Sequence, residues 1–245
     1  MELLLLYALC IAVGQIVKGI TGFGSALVSI PLLSLMVEPS KAIVFVLVSD
    51  VASGGWLAWN ARKRVKWSIV GVMLSGVFVG QWIGTGVHEV LPEKAVRICL
   101  AVIVFAFAIK LLYRTDKGVE SIPRRPDKRC LYEGGFFGMG AGLMAGLVGA
   151  GGPPVVYYTR RWFSDTLSRA LLLNVFFPSS FVLCSLFIYR GIVDFSVVYT
   201  GLQLIPMSFL GALGGAWLST RISPVVFSRL VSILLIGAAV GVALG

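Results

Sequence analysis

"KGITGFGSALVSIP", Lys18–Pro31, lies inside a stretch that otherwise reads as membrane, and its lysine and three glycines are poor material for a lipid-facing helix. The stretch also recurs. "GLVGAGGPPV" (Gly146–Val155) repeats "GITGFGSALV" (Gly19–Val28), with glycines aligned at 19/146, 22/149 and 24/151.

The surrounding chain explains why this matters. Of its 245 residues 58% are hydrophobic and 13% charged, with a mean hydropathy of +0.93. A soluble domain of that balance would have too little polar surface to show water. The apolar runs are continuous and do not alternate, which points to a polytopic helical membrane protein and away from a barrel. The net charge of +10 comes from basic residues in short loops between the apolar runs, so they read as topology signals and nucleic acid is not an expected partner. Cys10, Cys99 and Cys184 fall in apolar runs and Cys130 in a basic loop, with no metal or disulfide spacing. The opening "MELLLLYALCIAVGQ" lacks a basic leader and a small-x-small cleavage site, so it is expected to remain in the mature fold.

The most polar stretch, "RTDKGVESIPRRPDKR" (Arg114–Arg129), divides the chain near its middle. It suggests a first membrane repeat over 1–113, a basic cytoplasmic linker over 114–130 and a second repeat over 131–245. In the first half a long segment from Leu3 to Met36 holds the glycine motif, and spans follow near Ala42–Asn60, Trp67–Val87 and Ala95–Leu112. In the second half Leu131–Phe163 holds the motif, and spans follow near Ala170–Tyr189, Phe195–Leu218 and Val225–Leu244. "VGQWIGTGV" from Val79 also resembles "LGALGGAWL" from Leu210. Duplicated halves are a mark of secondary transporters.

Leu3–Met36 would measure about 51 Å as one helix, far beyond the roughly 30 Å hydrocarbon core. Split at the glycines, each arm of about 14 residues, or about 21 Å, is too short to cross. The expected solution is a re-entrant hairpin, with its irregular backbone surrounded by protein or a water-filled cavity. One hairpin plus three spans per half makes the halves inverted repeats. The basic residues agree. With a re-entrant second motif, Arg160, Arg161, Arg169, Arg221 and Arg229 join Arg62, Lys63, Arg64 and Lys66 on the cytoplasmic side, and of the second half only Arg190 stays outside. Both termini are then outside.

Two half-helices are expected to begin after the glycines, one near Gly24–Ser25 and one at Pro153. A helix start leaves N–H groups unpaired and carries about half a positive charge, so two such starts meeting near the midplane would cradle an anion. Glycine lets the chain turn tightly and the ligand approach the backbone. The candidate substrate-binding residues are Lys18, Gly22, Phe23, Gly24, Ser25, Gly149, Gly151, Gly152 and Asn174. Lys18 could attract the anion or pair with Asp50, and Asp50 could carry a coupling charge or proton. Asn174 sits close to the counterpart of Asp50 and could donate to an anion. The rows Gly134/Gly138/Gly142/Gly146 and Gly76/Gly80/Gly84 read instead as close-approach stripes between helices. His88 is expected in a solvated external loop, and Trp56, Trp59, Trp67, Trp162 and Trp217 at the interfaces. No nucleotide motif, metal cluster or hydrolytic triad is visible, so no catalytic residue, metal or cofactor is expected.

"GITGFGSALVSIPLL", "GLVGAGGPPVVYY" and the two-half layout are similar to the TauE/SafE sulfite exporter family, also called the toluene sulfonate uptake permease family. The resemblance implies transport of sulfite or organosulfonates across the bacterial inner membrane without ATP, with lipid and a small anion as partners and a homo-oligomer left open. The family's glycine motifs fall on Gly19, Gly22 and Gly24 and on Gly146, Gly149, Gly151 and Gly152. Ala145 stands where the second half would need a counterpart of Lys18, so that half's contribution is expected to be backbone donors. The family includes uptake and export systems; export is the expectation here. The rivals are a passive anion channel and a membrane-embedded enzyme or assembly factor, the latter short of polar groups at depth.

Overall fold

A computed structural model describes residues 2–112, 128–219, 221 and 224–244. Every regular element among them is helical: α1 (Glu2–Thr21), α2 (Ser25–Ser34), α3 (Pro39–Ala61), α4 (Trp67–Val90), α5 (Glu93–Leu112), α6 (Lys128–Val148), α7 (Gly152–Trp162), α8 (Asp165–Tyr189), α9 (Phe195–Gln203), α10 (Ile205–Leu218) and α11 (Pro224–Leu244). A 3-10 turn, Arg62–Arg64, joins α3 to α4. Residues 114–127 of the expected linker lie outside the described residues, and 128–130 open α6.

Among the described residues five helices (α1, α3 with the turn after it, α4, α5 and α8) are long and apolar enough to cross a membrane, and α9 with α10, bent by 50°, has the length and composition for a sixth if the pair crosses as one. The bend follows from Pro206 in the first turn of α10. Its ring nitrogen donates no hydrogen bond, and the ladder lapses into the tighter Leu204 N–H to Gly201 carbonyl bond of 3.1 Å. Burial is inverted relative to a water-soluble protein. Phe136, Phe181, Val102 and Trp59 face outward, while Gln15, Lys18, Asp50, Ser53 and Gln81 are enclosed. Such a surface suits lipid, where only a helix satisfies its own backbone groups.

Each glycine motif joins two antiparallel helices. In the first, Ser29 of α2 donates to the Cys10 carbonyl of α1 at 2.9 Å and Gly14 lies beneath Ser25 and Ser29. In the second, the Tyr158 hydroxyl of α7 donates to the Cys130 carbonyl of α6 at 2.8 Å, and Trp162 donates to Glu133 at 2.8 Å. The arms are unequal, which corrects the expectation of two short ones: α1 has 20 residues and α2 has 10. The helix runs through Gly19 because that glycine serves a lateral contact. A methyl group there would meet the Ala212 carbonyl oxygen of α10 at 2.4 Å.

The anticipated glycine stripes close on each other. Methyl groups at Gly80 and Gly142 would sit 2.1 Å from the Met139 carbonyl oxygen and 2.0 Å from that of Val77, so α4 and α6 run parallel with backbones in contact. Gly138 and Gly146 meet α4 in the same way, whereas Gly134 faces the Tyr158 hydroxyl. A second seam of this kind joins α1 to α10, where Gly211 and Gly215 face the carbonyls of Ala12 and Ile16. Each half's broken helix pair therefore lies on the other half's penultimate helix. The aligned pair Gly19/Gly146 takes part in both seams.

Three side chains sit elsewhere than the sequence suggested. His88 is not solvated: α4 extends past it, and the ring is buried with Nδ1 donating to the Leu147 carbonyl (2.7 Å) and Nε2 against Ser40 Oγ (2.9 Å). Trp162 is buried against Glu133, while Trp56, Trp59, Trp67 and Trp217 are exposed as expected of interfacial anchors. Cys130 is buried inside α6 beside Tyr158, not in a loop.

Candidate functional site

The first turn is made by Gly22 and Gly24, at φ 84° and 94°, a region costly for residues with a Cβ. Gly22 N–H returns to the Lys18 carbonyl at 2.7 Å and stops α1; Gly24 then caps α2, which starts at Ser25. The second turn copies the stop. Gly149, at φ 77°, returns its N–H to the Ala145 carbonyl at 2.8 Å, and α7 starts at Gly152 with Pro153 in its first turn. The third aligned pair diverges. Gly151 has φ −83°, and a methyl group on it would meet the Ala141 carbonyl oxygen at 2.5 Å, so its small size serves the α6–α7 contact and not an open approach to ligand. No side chain caps α2 or α7.

The two turns touch. Gly152 faces the Phe23 ring and Gly149 faces Ile30 and Ile43. Between them lies a cavity of about 40 Å³, lined by Lys18, Gly22, Phe23, Gly24, Ser25, Asp50, Gly149, Gly151 and Gly152 together with Phe176, Ser179, Ser180 and aliphatic groups. That volume accommodates about three waters, or one sulfur with three oxygens. Asn174 is not among the lining residues. Its amide donates to the Ala170 carbonyl of its own helix at 2.9 Å.

Lys18 is buried and its ammonium lies 2.8 Å from Asp50 Oδ1. The same oxygen accepts from Gln15 Nε2 (2.8 Å) and Ser25 Oγ (2.8 Å), and Ser25 Oγ also reaches Oδ2 at 2.9 Å. Ser53 holds the Gln15 amide from below through its carbonyl oxygen, at 2.9 Å. A buried ion pair of this kind is tolerable only because the remaining lone pairs are served. Lys18 thus pairs with Asp50, one of the two roles the sequence left open, and it also lines the cavity.

Sequence reasoning missed several participants. Gln15 stands three residues before Lys18, one helical turn away, and is the polar residue in that apolar run that could have been noticed. Ser179 and Ser180 follow Pro178 on α8, and Gln81 of α4 donates to Ser179 Oγ at 2.7 Å. Arg169 of α8 lies over Gly22 and donates to the Gly19 carbonyl, which fastens the first turn to the second half. Its role depends on a contact between the halves that no local pattern announces. At the opposite end from the Arg62–Arg64 turn, a wider hollow of about 390 Å³ is lined by Glu38, Ser40, His88, Glu89 and Arg190 among others. His88 touches both regions, since Leu147 leads directly into the second turn.

Among the described residues no group of three or more His, Cys, Asp or Glu side chains could hold a metal ion. The arrangement is a small, partly open pocket where the Lys18–Asp50 pair and the Ser25 hydroxyl meet the starts of α2 and α7. Comparison with curated proteins and with solved structures finds no match. A family model does match: Sulfite exporter TauE/SafE, over residues 6–242, which is nearly the whole chain. Together with the spans and the paired glycine turns, that match makes the chain a multi-pass membrane protein that belongs to the TauE/SafE sulfite exporter family, a family of transporters.

Proposed function

We propose that the chain is a secondary transporter of small sulfur oxyanions, sulfite or short organosulfonates, held between the starts of α2 and α7, with export as its direction. The observation that carries this is the shared cavity: an uncapped half-helix start from each half lines it, beside Lys18. Both starts bring positive dipole ends to one place, with N–H groups from Ser25 onward at α2 and from Gly151 and Gly152 alone at α7, where Pro153 and Pro154 have none. The volume of about 40 Å³ favours sulfite or the head of methanesulfonate over an aromatic sulfonate.

The reading includes two inverted repeats, 1–113 and 131–245, in the bacterial inner membrane. Its support is directional. α1 and α3 run side by side in one sense (Tyr7 against Phe45, Gln15 against Ser53), and α4 returns from α3 to lie parallel to α6. The motif-bearing α1 and α6 thus run oppositely. The basic groups Arg62–Arg64, Arg161 and Arg169 gather at one end, which the positive-inside rule makes cytoplasmic.

Counterflow of radiolabelled sulfite in proteoliposomes tests the function. A tetrahedral oxyanion presents three oxygens to the donors and a carboxylate two, and an unpaired buried donor costs about 1–3 kcal/mol. Unlabelled sulfite and methanesulfonate should therefore drive counterflow about tenfold more effectively than acetate. Equal competition by acetate, or flux without counterflow, would remove the sulfur-anion carrier.

A further inference from the structure

The carboxylate beside the cavity is served unevenly. Oδ1 of Asp50 accepts from Gln15, Lys18 and Ser25, whereas Oδ2 meets only the Ser25 hydroxyl among the hydrogen bonds of the described residues. Ser25 has a single hydroxyl hydrogen, so its two contacts are one forked bond. Oδ2 is thus the oxygen with room for a proton. Resting on the reading of this cavity as an anion site, we propose that the protein binds its anion together with one proton, which stays on Asp50 and turns the Ser25 hydroxyl toward the anion as a donor.

The chemistry balances without any further reagent. A proton from the aqueous phase adds to Asp50 Oδ2, and the acid O–H donates to Ser25 Oγ, reversing that bond. The hydrogen of Ser25 is then released from Oδ2, and Ser25, the first residue of α2, lines the cavity, where a bound anion competes with Oδ1 for that hydrogen. One proton on Asp50 therefore delivers a hydroxyl donor to the anion. It also releases Lys18, whose charge the carboxylate had cancelled. An anion entering the neutral pair would bring an uncompensated charge into a buried site, which is costly at membrane depth. With the proton aboard, anion, ammonium and neutral acid sum to zero.

Lys18 of α1 is the charged group in contact with Asp50 among the described residues. Elsewhere around α3, Arg169 of α8 donates to the Gly19 carbonyl and Glu133 of α6 is taken by Arg129 and Trp162. The charges of α5 lie at its two ends, and α2, α9 and α10 carry none. Among the described residues no second charge stands ready to replace the proton.

The experiment uses the full-length protein in weakly buffered detergent with a pH-indicating dye. Methanesulfonate is the probe, because it does not itself titrate near neutral pH as sulfite does. Binding should take up one proton per anion, and the apparent affinity should fall about tenfold for each pH unit over which Asp50 must acquire that proton. Infrared difference spectra should show the carbonyl stretch of a protonated carboxyl when the anion is added, absent in Asp50→Asn. That variant should lose the proton uptake and bind with a flat pH profile, and Ser25→Ala should weaken binding because the hydroxyl donor to the anion is gone while Asp50 still takes up the proton. Wild-type binding without proton uptake overturns the proposal, and needs no variant to fold. If acetate binds with a proton and the sulfur anions do not, the coupling stands and the substrate reading fails. If sulfite, methanesulfonate and acetate all leave the carboxyl band unmoved, the coupling is overturned.

Discussion

Replacing Gly142 by alanine adds one methyl group where the backbone of α4 already stands. The new carbon would lie 2.0 Å from the Val77 carbonyl oxygen and 2.9 Å from the Gln81 nitrogen, whereas ordinary contact begins at 3.4 Å. Neither neighbour is a side chain that can turn away, so α4 and α6 must part by more than an ångström along a seam that is backbone on backbone. Overpacking of this kind costs about 1–3 kcal/mol. Gly140, two positions earlier on the same helix, has nothing within 4 Å of an added carbon. There the substitution should show only the helix preference of alanine, a gain of about 0.5–1 kcal/mol. Alanine's helix preference is common to both sites, so the two variants should differ by the overpacking alone, about 1–3 kcal/mol or roughly 2–12 °C in Tm, with Gly142→Ala the less stable. Thermal scans followed by size-exclusion in detergent measure this. Equal shifts for the pair would mean that the α4–α6 seam does not hold the fold together.

Other substitutions probe contacts the sequence did not announce. His88→Ala strands the Leu147 carbonyl and Ser40 and should cost about 1–3 kcal/mol in the same thermal scans, where a solvated histidine would cost about 0.5 or less. Tyr158→Phe removes the bond to the Cys130 carbonyl and should lower stability by about 1 kcal/mol while leaving sulfite affinity unchanged; an altered affinity would tie the α6–α7 lock to the site. Alkaline phosphatase fused after Gly245 should be active and the same reporter placed in the Arg62–Lys66 turn inactive, and the reverse pattern would remove the proposed orientation.

Much of the architecture could be read from the chain because membrane helices declare themselves by length, and because glycine has few uses at depth. The impossible span of Leu3–Met36 forced a break, and the break falls at Gly22 and Gly24. The four-residue glycine rows marked close approach, and they are closely approached. What could not be read was which row meets which. Gly76, Gly80 and Gly84 would fit any helix with a small face, and their choice of α6 is settled by where the whole chain returns. The same limit explains Arg169, whose partner carbonyl at Gly19 belongs to the other half. Asn174 lies outside the cavity lining for a local reason: an amide in a helix can be satisfied by the carbonyl one turn back, and alignment with Asp50 says nothing about that competition. His88 and Trp162 misled because both are amphipathic, and the sequence does not say whether the polar atom finds water or a buried acceptor.

The crossing of α1 onto α10, and of α6 onto α4, has a consequence for how the protein is made. When the ribosome has produced the first hairpin, the flank bearing Gly19 has no partner, and none exists until nearly the last helix emerges. Lipid must cover a surface shaped for another backbone throughout that interval. The second hairpin is in the opposite position, since α4 is already waiting when α6 arrives. Insertion is therefore lopsided although each hairpin ends up with one such seam. A nascent chain stalled before α10 should present an unclosed glycine face to whatever quality-control machinery patrols the bilayer.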